Sequence, residues 1–72
     1  MDNKVTKILQ LGRKIYQCRR EKHFSQNTFA EMLGISREHL AKIETAKRCV
    51  SLGLLIDIAE NLNMPVKDLI DF

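Results

Sequence analysis

The sequence predicts an all-α fold, a compact five-helix domain, and three observations predict it. Apolar residues recur at spacings of three and four, the period of a buried helical face. Serines at Ser25 and Ser36 stand immediately before two such runs, where a hydroxyl can cap a helix N-terminus. The composition, 44% hydrophobic with one proline and three glycines, suits a helical domain and lacks the bias of a disordered chain.

The elements follow in order. Val5, Ile8, Leu11, Ile15 and Cys18 give helix 1 its inner stripe, with Arg13, Lys14, Arg20 and Lys22 off it, and the helix ends near Lys22. Residues 1–7 are either a flexible arm or an extension of that helix. Ser25 caps a second helix over residues 26–33, whose inner face is Phe29, Ala30 and Leu33. In "SQNTFAEMLGISREHL" the pattern then breaks at Gly34, which takes the left-handed conformation that ends a helix, while Ile35 plugs the corner and Ser36 caps a third helix. Two short helices joined by so tight a turn cross steeply, which makes helices 2 and 3 a helix-turn-helix with the second helix standing proud. Helix 4 runs from Ser51 to about Leu62, with Leu52, Leu55, Ile58, Ala59 and Leu62 inward. Pro65 suits the first position of a short helix 5 carrying Val66, Leu69 and Ile70.

Seventy-two residues make one domain, 1–72, with no linker or repeat. No apolar run is long enough to span a bilayer, and "MDNKVTKILQ" lacks the apolar core of a signal peptide, so a cytoplasmic location is expected. Cys18 and Cys49 form no metal-binding spacing, with only His23 and His39 to join them, so neither a metal nor another cofactor is expected. Cys18 reads as a core residue and Cys49 as a free thiol in a loop; neither needs a disulfide. No nucleophile–base–acid set shares an element and no glycine loop could cradle a phosphate, which argues against an enzyme. Residues 1–50 hold eleven lysines and arginines against five acidic residues, and residues 51–72 hold one against four. Such one-sided charge suits a polyanionic partner or, equally, a merely solvated basic surface.

On helix 3, at 100° per residue, Leu40 and Ile43 point to one side while Arg37, Glu38, Ala41, Lys42 and Thr45 share the other. Small Ala41 at the centre lets the helix approach a surface, and the polar residues around it can hydrogen-bond base edges or phosphates. Glu38 and Lys42 could also do no more than stabilise the helix as an i,i+4 pair.

The stretches "LGRKI", "REKHFSQ", "FAEMLGIS", "LAKIE" and "SLGLLIDIAENLNMPVKDLI" occur in an order that resembles the lambda-repressor-like, Cro/C1-type (XRE) helix-turn-helix regulators, from Leu11 to Ile70. The resemblance implies a sequence-specific binder of double-stranded DNA with helix 3 in the major groove, a transcription regulator of a bacterium, phage or mobile element acting without a cofactor. It implies that Arg37, Glu38 and Lys42 face bases. Gln26 would bind a phosphate, Thr45, Lys47 and Arg48 would meet the DNA backbone, and Ser36 and Ala41 would support the helix. It also implies an ion pair between Arg19 and Glu44.

The chain departs from the family at His23, Ala46 and Asn63, where relatives usually have a left-handed glycine, and at Val50, where they often have proline. Because a Cβ opposes that conformation by about 1 kcal/mol, Ala46 suggests that "ETAKRCV" ends helix 3 by another path. The rival function is an antitoxin or protein-interaction module, with a toxin as first partner and DNA second. The apolar ending "VKDLIDF", together with the half-site that one small module reads, leads to the expectation of a homodimer with Leu69, Ile70 and Phe72 near its axis.

Overall fold

The computed structural model describes residues 3–71. Five helices follow one another: α1 Asn3–Glu21, α2 Gln26–Leu33, α3 Arg37–Glu44, α4 Leu52–Asn61 and α5 Val66–Leu69. They enclose one core of Ile15, Phe29, Ala30, Leu40, Ile43, Leu55, Ile58, Ala59, Leu62 and Leu69. Phe24, in the turn after α1, stacks on Phe29 with ring centroids 5.8 Å apart, fixing the start of α2 against the core. No helix among the described residues is long and apolar enough to cross a membrane.

The helices begin and end by repeated devices. Ser25, Ser36 and Ser51 each hold an extended backbone and accept, through Oγ, the N–H of the third residue of the helix that follows, Thr28, His39 and Leu54, at 3.0–3.1 Å. At the other end, α1 to α4 stop at residues with positive φ: His23 (62°), Gly34 (72°), Ala46 (62°) and Asn63 (56°). Each donates its N–H to the carbonyl three residues back. The next residue, Phe24, Ile35, Lys47 or Met64, donates to the carbonyl five back, at 2.8–3.2 Å. This is the paired closure that a left-handed residue permits. The chain after α3 therefore does not take another path at Ala46. Satisfying two helix-end carbonyls outweighs the Cβ penalty, and Val50 packs against the core where relatives often have proline.

Several sequence expectations need correction. The inner stripe of α1 begins at Leu11; Ile8 is half-buried and Val5 exposed, because the first two turns run past the core. Leu52 is 70% exposed, not inward: as the first residue of α4 it leans back toward the helix start and past the core, while Leu54 packs against it. Pro65 is the N-cap of α5, with ψ 148°, and not its first helical residue. Leu69 is wholly buried, which removes it from any dimer axis, whereas Ile70, a third of a turn further on, is 47% exposed. Phe72 lies outside the described residues. Both cysteines are free thiols; burial pushes the Cys18 thiol above its ordinary pKa, and Cys49 is exposed.

Replacing Ala46 by glycine is expected to raise stability by about 0.5–1 kcal/mol, since it removes a left-handed alanine from a closure that glycine makes without strain. Urea denaturation checks this. An unchanged or lowered midpoint would mean that Ala46 carries no strain.

Candidate nucleic-acid interface

The Gly34 turn sets α3 across α2. Leu40 and Ile43 anchor α3 in the core, while Arg37, Glu38, Lys42 and Thr45 are exposed and Ala41 lies half-buried among them. The outer side of α3 is therefore a row of charged side chains around a small one. Its ends are held differently. The N-terminal end rests on the Ser36 cap, whose hydroxyl proton remains available to an acceptor. The Thr45 hydroxyl, by contrast, is given to the Ala41 carbonyl at 2.8 Å, so donating to a phosphate would require breaking that bond.

The C-terminal end of α3 is held by a buried charge. Glu44 is exposed at only 2% of its side chain and Arg19, on α1, at 5%. Arg19 Nε donates to Glu44 Oε2 at 2.7 Å and its second terminal nitrogen to Oε1 at 3.1 Å, while the first reaches the Phe24 carbonyl at 2.8 Å. Gln26, at the start of α2, adds a third donor, its Nε2 lying 3.0 Å from Glu44 Oε1. The Tyr16 ring packs under the Arg19 guanidinium at 5.3 Å, and its hydroxyl accepts from Arg20 at 3.1 Å. Among the described residues no buried side-chain polar atom lacks a partner.

Backbone contact makes this joint possible. A Cβ on Gly12 would lie 2.6 Å from the Ile43 carbonyl oxygen and 2.9 Å from that of Glu44, so α1 meets the last turn of α3 where only glycine fits. The sequence reading named neither Gly12 nor the Gln26–Glu44 hydrogen bond. A glycine inside a strongly helical pattern was the available signal for the first; nothing in the sequence marked the second. Beyond the joint, Lys47 and Arg48 are exposed on the loop that the Ala46 closure shapes. Arg48 borders a small apolar cleft of about 90 Å³ with Ile8, Leu11, Gly12 and Ile43, which places the loop over α1.

A family model described as helix-turn-helix matches residues 15–69. The HTH-type transcriptional regulator YazB of Bacillus subtilis (strain 168), itself uncharacterized, is 38% identical over 58 residues, covering 81% of this chain and 84% of YazB. Uncharacterized HTH-type transcriptional regulators of Rickettsia conorii and Rickettsia prowazekii are 38% identical over 53 residues, 74% of this chain. The match spans only 42% and 41% of those two relatives. Among solved structures, the restriction-modification controller protein C.AhdI from Aeromonas hydrophila is similar with a TM-score of 0.82 and 27% identity, over 86% of this chain and 94% of that one.

Glu44→Ala is expected to cost about 3–5 kcal/mol, because it leaves Arg19 charged, buried and without its partner. Replacing both, Arg19→Met with Glu44→Leu, should recover most of that loss by removing the charges together. Urea unfolding of the three proteins decides: a single substitution costing under about 1 kcal/mol would show that the pair does not hold α3.

Proposed function

The chain belongs to the Cro/C1-type helix-turn-helix family of transcriptional regulators, and we propose that it binds duplex DNA sequence-specifically by laying α3 in the major groove. The observation that carries this reading is the exposed row of Arg37, Glu38 and Lys42 on a short helix whose other side is fixed in the core and whose far end is locked by a buried ion pair. Arg37 and Lys42 supply donors suited to the acceptor edge of guanine, and Glu38 an acceptor suited to the amino group of cytosine. Gln26 at the start of α2 and Lys47 and Arg48 after α3 flank that row and suit phosphates, which position the protein without reading sequence. Eleven of the twelve lysines and arginines lie in residues 1–50, the part of the chain that carries α3 and the loop after it, whereas α4 carries only the acids Asp57 and Glu60, a balance that suits a polyanionic partner.

We also infer a two-fold homodimer, because one module reads only a half-site. Exposed Ile70, beside the wholly buried Leu69, is the large apolar residue of the described C-terminal segment with surface to give to such an axis. A pair of copies would set the two α3 helices about 34 Å apart on one face of the duplex.

Selection of bound sequences from a random DNA pool tests the reading as a whole: an enriched motif with two-fold symmetry supports it, and no enrichment overturns it. On the selected site, Arg37→Ala and Lys42→Ala should each cost roughly 1–3 kcal/mol at particular base pairs. Lys47→Ala should instead weaken binding to all duplexes alike and flatten the salt dependence by about one phosphate. Uniform losses for the first two would make them backbone contacts. For the dimer, sedimentation equilibrium of wild type and Ile70→Asp should show association that the substitution abolishes; a wild type monomeric at tens of micromolar contradicts a stable dimer.

A further inference from the structure

Gln26 and Glu44 lie 18 residues apart, on the first turn of α2 and the last of α3, and their hydrogen bond crosses from the buried joint to the protein surface. We propose that Glu44 is a positioning residue for DNA binding: its carboxylate fixes the Gln26 carboxamide so that an N–H is presented outward to a backbone phosphate. The inference rests on the reading of Gln26 as a phosphate contact.

The chemistry follows from what each group can donate. The Glu44 carboxylate, which accepts from two nitrogens of Arg19, has only acceptors to offer. Gln26 can meet Oε1 only with its amino group, because turning the carboxamide over would set its carbonyl oxygen against a carboxylate oxygen. That choice decides which end of the amide sits beside the start of α2. One N–H is given to Glu44; the second belongs to the same nitrogen of a half-buried residue and remains for an acceptor outside. A phosphate oxygen is also acceptor-only, so an N–H is what it requires. The Arg19 guanidinium offsets the carboxylate charge, so the anion that orients Gln26 does not repel the anion that Gln26 would bind.

The same bond prepares the contact in advance. A free glutamine samples many rotamers, and immobilising such a side chain on binding weakens an interface by roughly two- to tenfold. Here Gln26 is already tied to a carboxylate that cannot itself move, since Glu44 is closed in by Arg19 and by the approach of α1 at Gly12. A solvent-exposed glutamine at the same position could make the same phosphate contact, but would have to be ordered on binding.

The test compares the effect of Gln26→Ala on affinity for duplex DNA in two backgrounds, wild type and Arg19→Met with Glu44→Leu, whose fold is checked by circular dichroism. The expected result is a loss of about tenfold on every duplex in wild type and of twofold or less where Glu44 is absent. A loss of equal size in both backgrounds overturns the proposal, as does no loss in a wild type that does bind DNA; in either case the reading of α3 as the DNA-reading helix still stands. A wild type that binds no duplex overturns that reading and this one together. If the double substitution does not fold, or folds and no longer binds DNA, relaxation of the Gln26 side-chain amide in the free wild-type protein decides instead. An order parameter above about 0.6 supports a held carboxamide, and a lower one overturns it.

Discussion

A single buried carboxylate, that of Glu44, governs how α1, α2 and α3 meet. Removing a carboxylate from water costs several kcal/mol even in a relaxed protein interior, and a domain of this size has little stability to spare. The structure offsets the cost with three donors from two other elements: Arg19 with two nitrogens from α1, and Gln26 from α2. An apolar contact could slide by a fraction of a turn with little loss. A forked ion pair with a third hydrogen bond cannot, because any displacement leaves a buried charge short of a partner. The pair therefore sets the angle of α3 more than it adds to stability. The near-contact of Gly12 with the carbonyls of Ile43 and Glu44 closes the same joint, since any larger residue would push α3 off α1.

A second constraint acts on the chain direction. Four consecutive helices end through left-handed residues with the same pair of backbone hydrogen bonds, yet only one of those residues is glycine. Asparagine and histidine tolerate the conformation comparatively well, and alanine poorly. Ala46 adopts it nonetheless because the closure satisfies two helix-end carbonyls, and it does so between two anchors, Glu44 fixed just before it and Val50 packed on the core just after. The strain sits next to Lys47 and Arg48, the cations whose direction the turn sets.

Charge is unevenly divided along the chain, in a way that suits the family to which it belongs. Basic residues dominate α1 and the loop after α3, α3 carries two of each sign, and α4 carries acids alone, Asp57 and Glu60, with Leu52 and Ile56 exposed on it and Ile70 exposed after α5. The buried network lies between α3 and the rest of the protein without using any of its outward-facing charges.

The sequence by itself determined the elements: five helices, serine caps at Ser25 and Ser36, and the glycine turn that sets α3 across α2. These were legible because they rest on local chemistry, a repeat of three or four residues or a hydroxyl within reach of the next turn. It also marked the outer arc of α3, since helical geometry alone separates Arg37, Glu38 and Lys42 from Leu40 and Ile43. The tertiary structure decided what depends on a second element. Leu52 and Val5 fit an inner stripe but find nothing to cover them, and Leu69, apolar like Ile70, goes inside while Ile70 does not. Pairing Arg19 with Glu44 needed the family resemblance, because two charges 25 residues apart carry no mark of their meeting until α1 and α3 are packed. The bond from Gln26 to Glu44 and the glycine contact at Gly12 appear only in three dimensions, and only there is it decided that Ala46 keeps the left-handed turn, because the cost of an unsatisfied buried group or carbonyl exceeds the local preference of the residue that meets it.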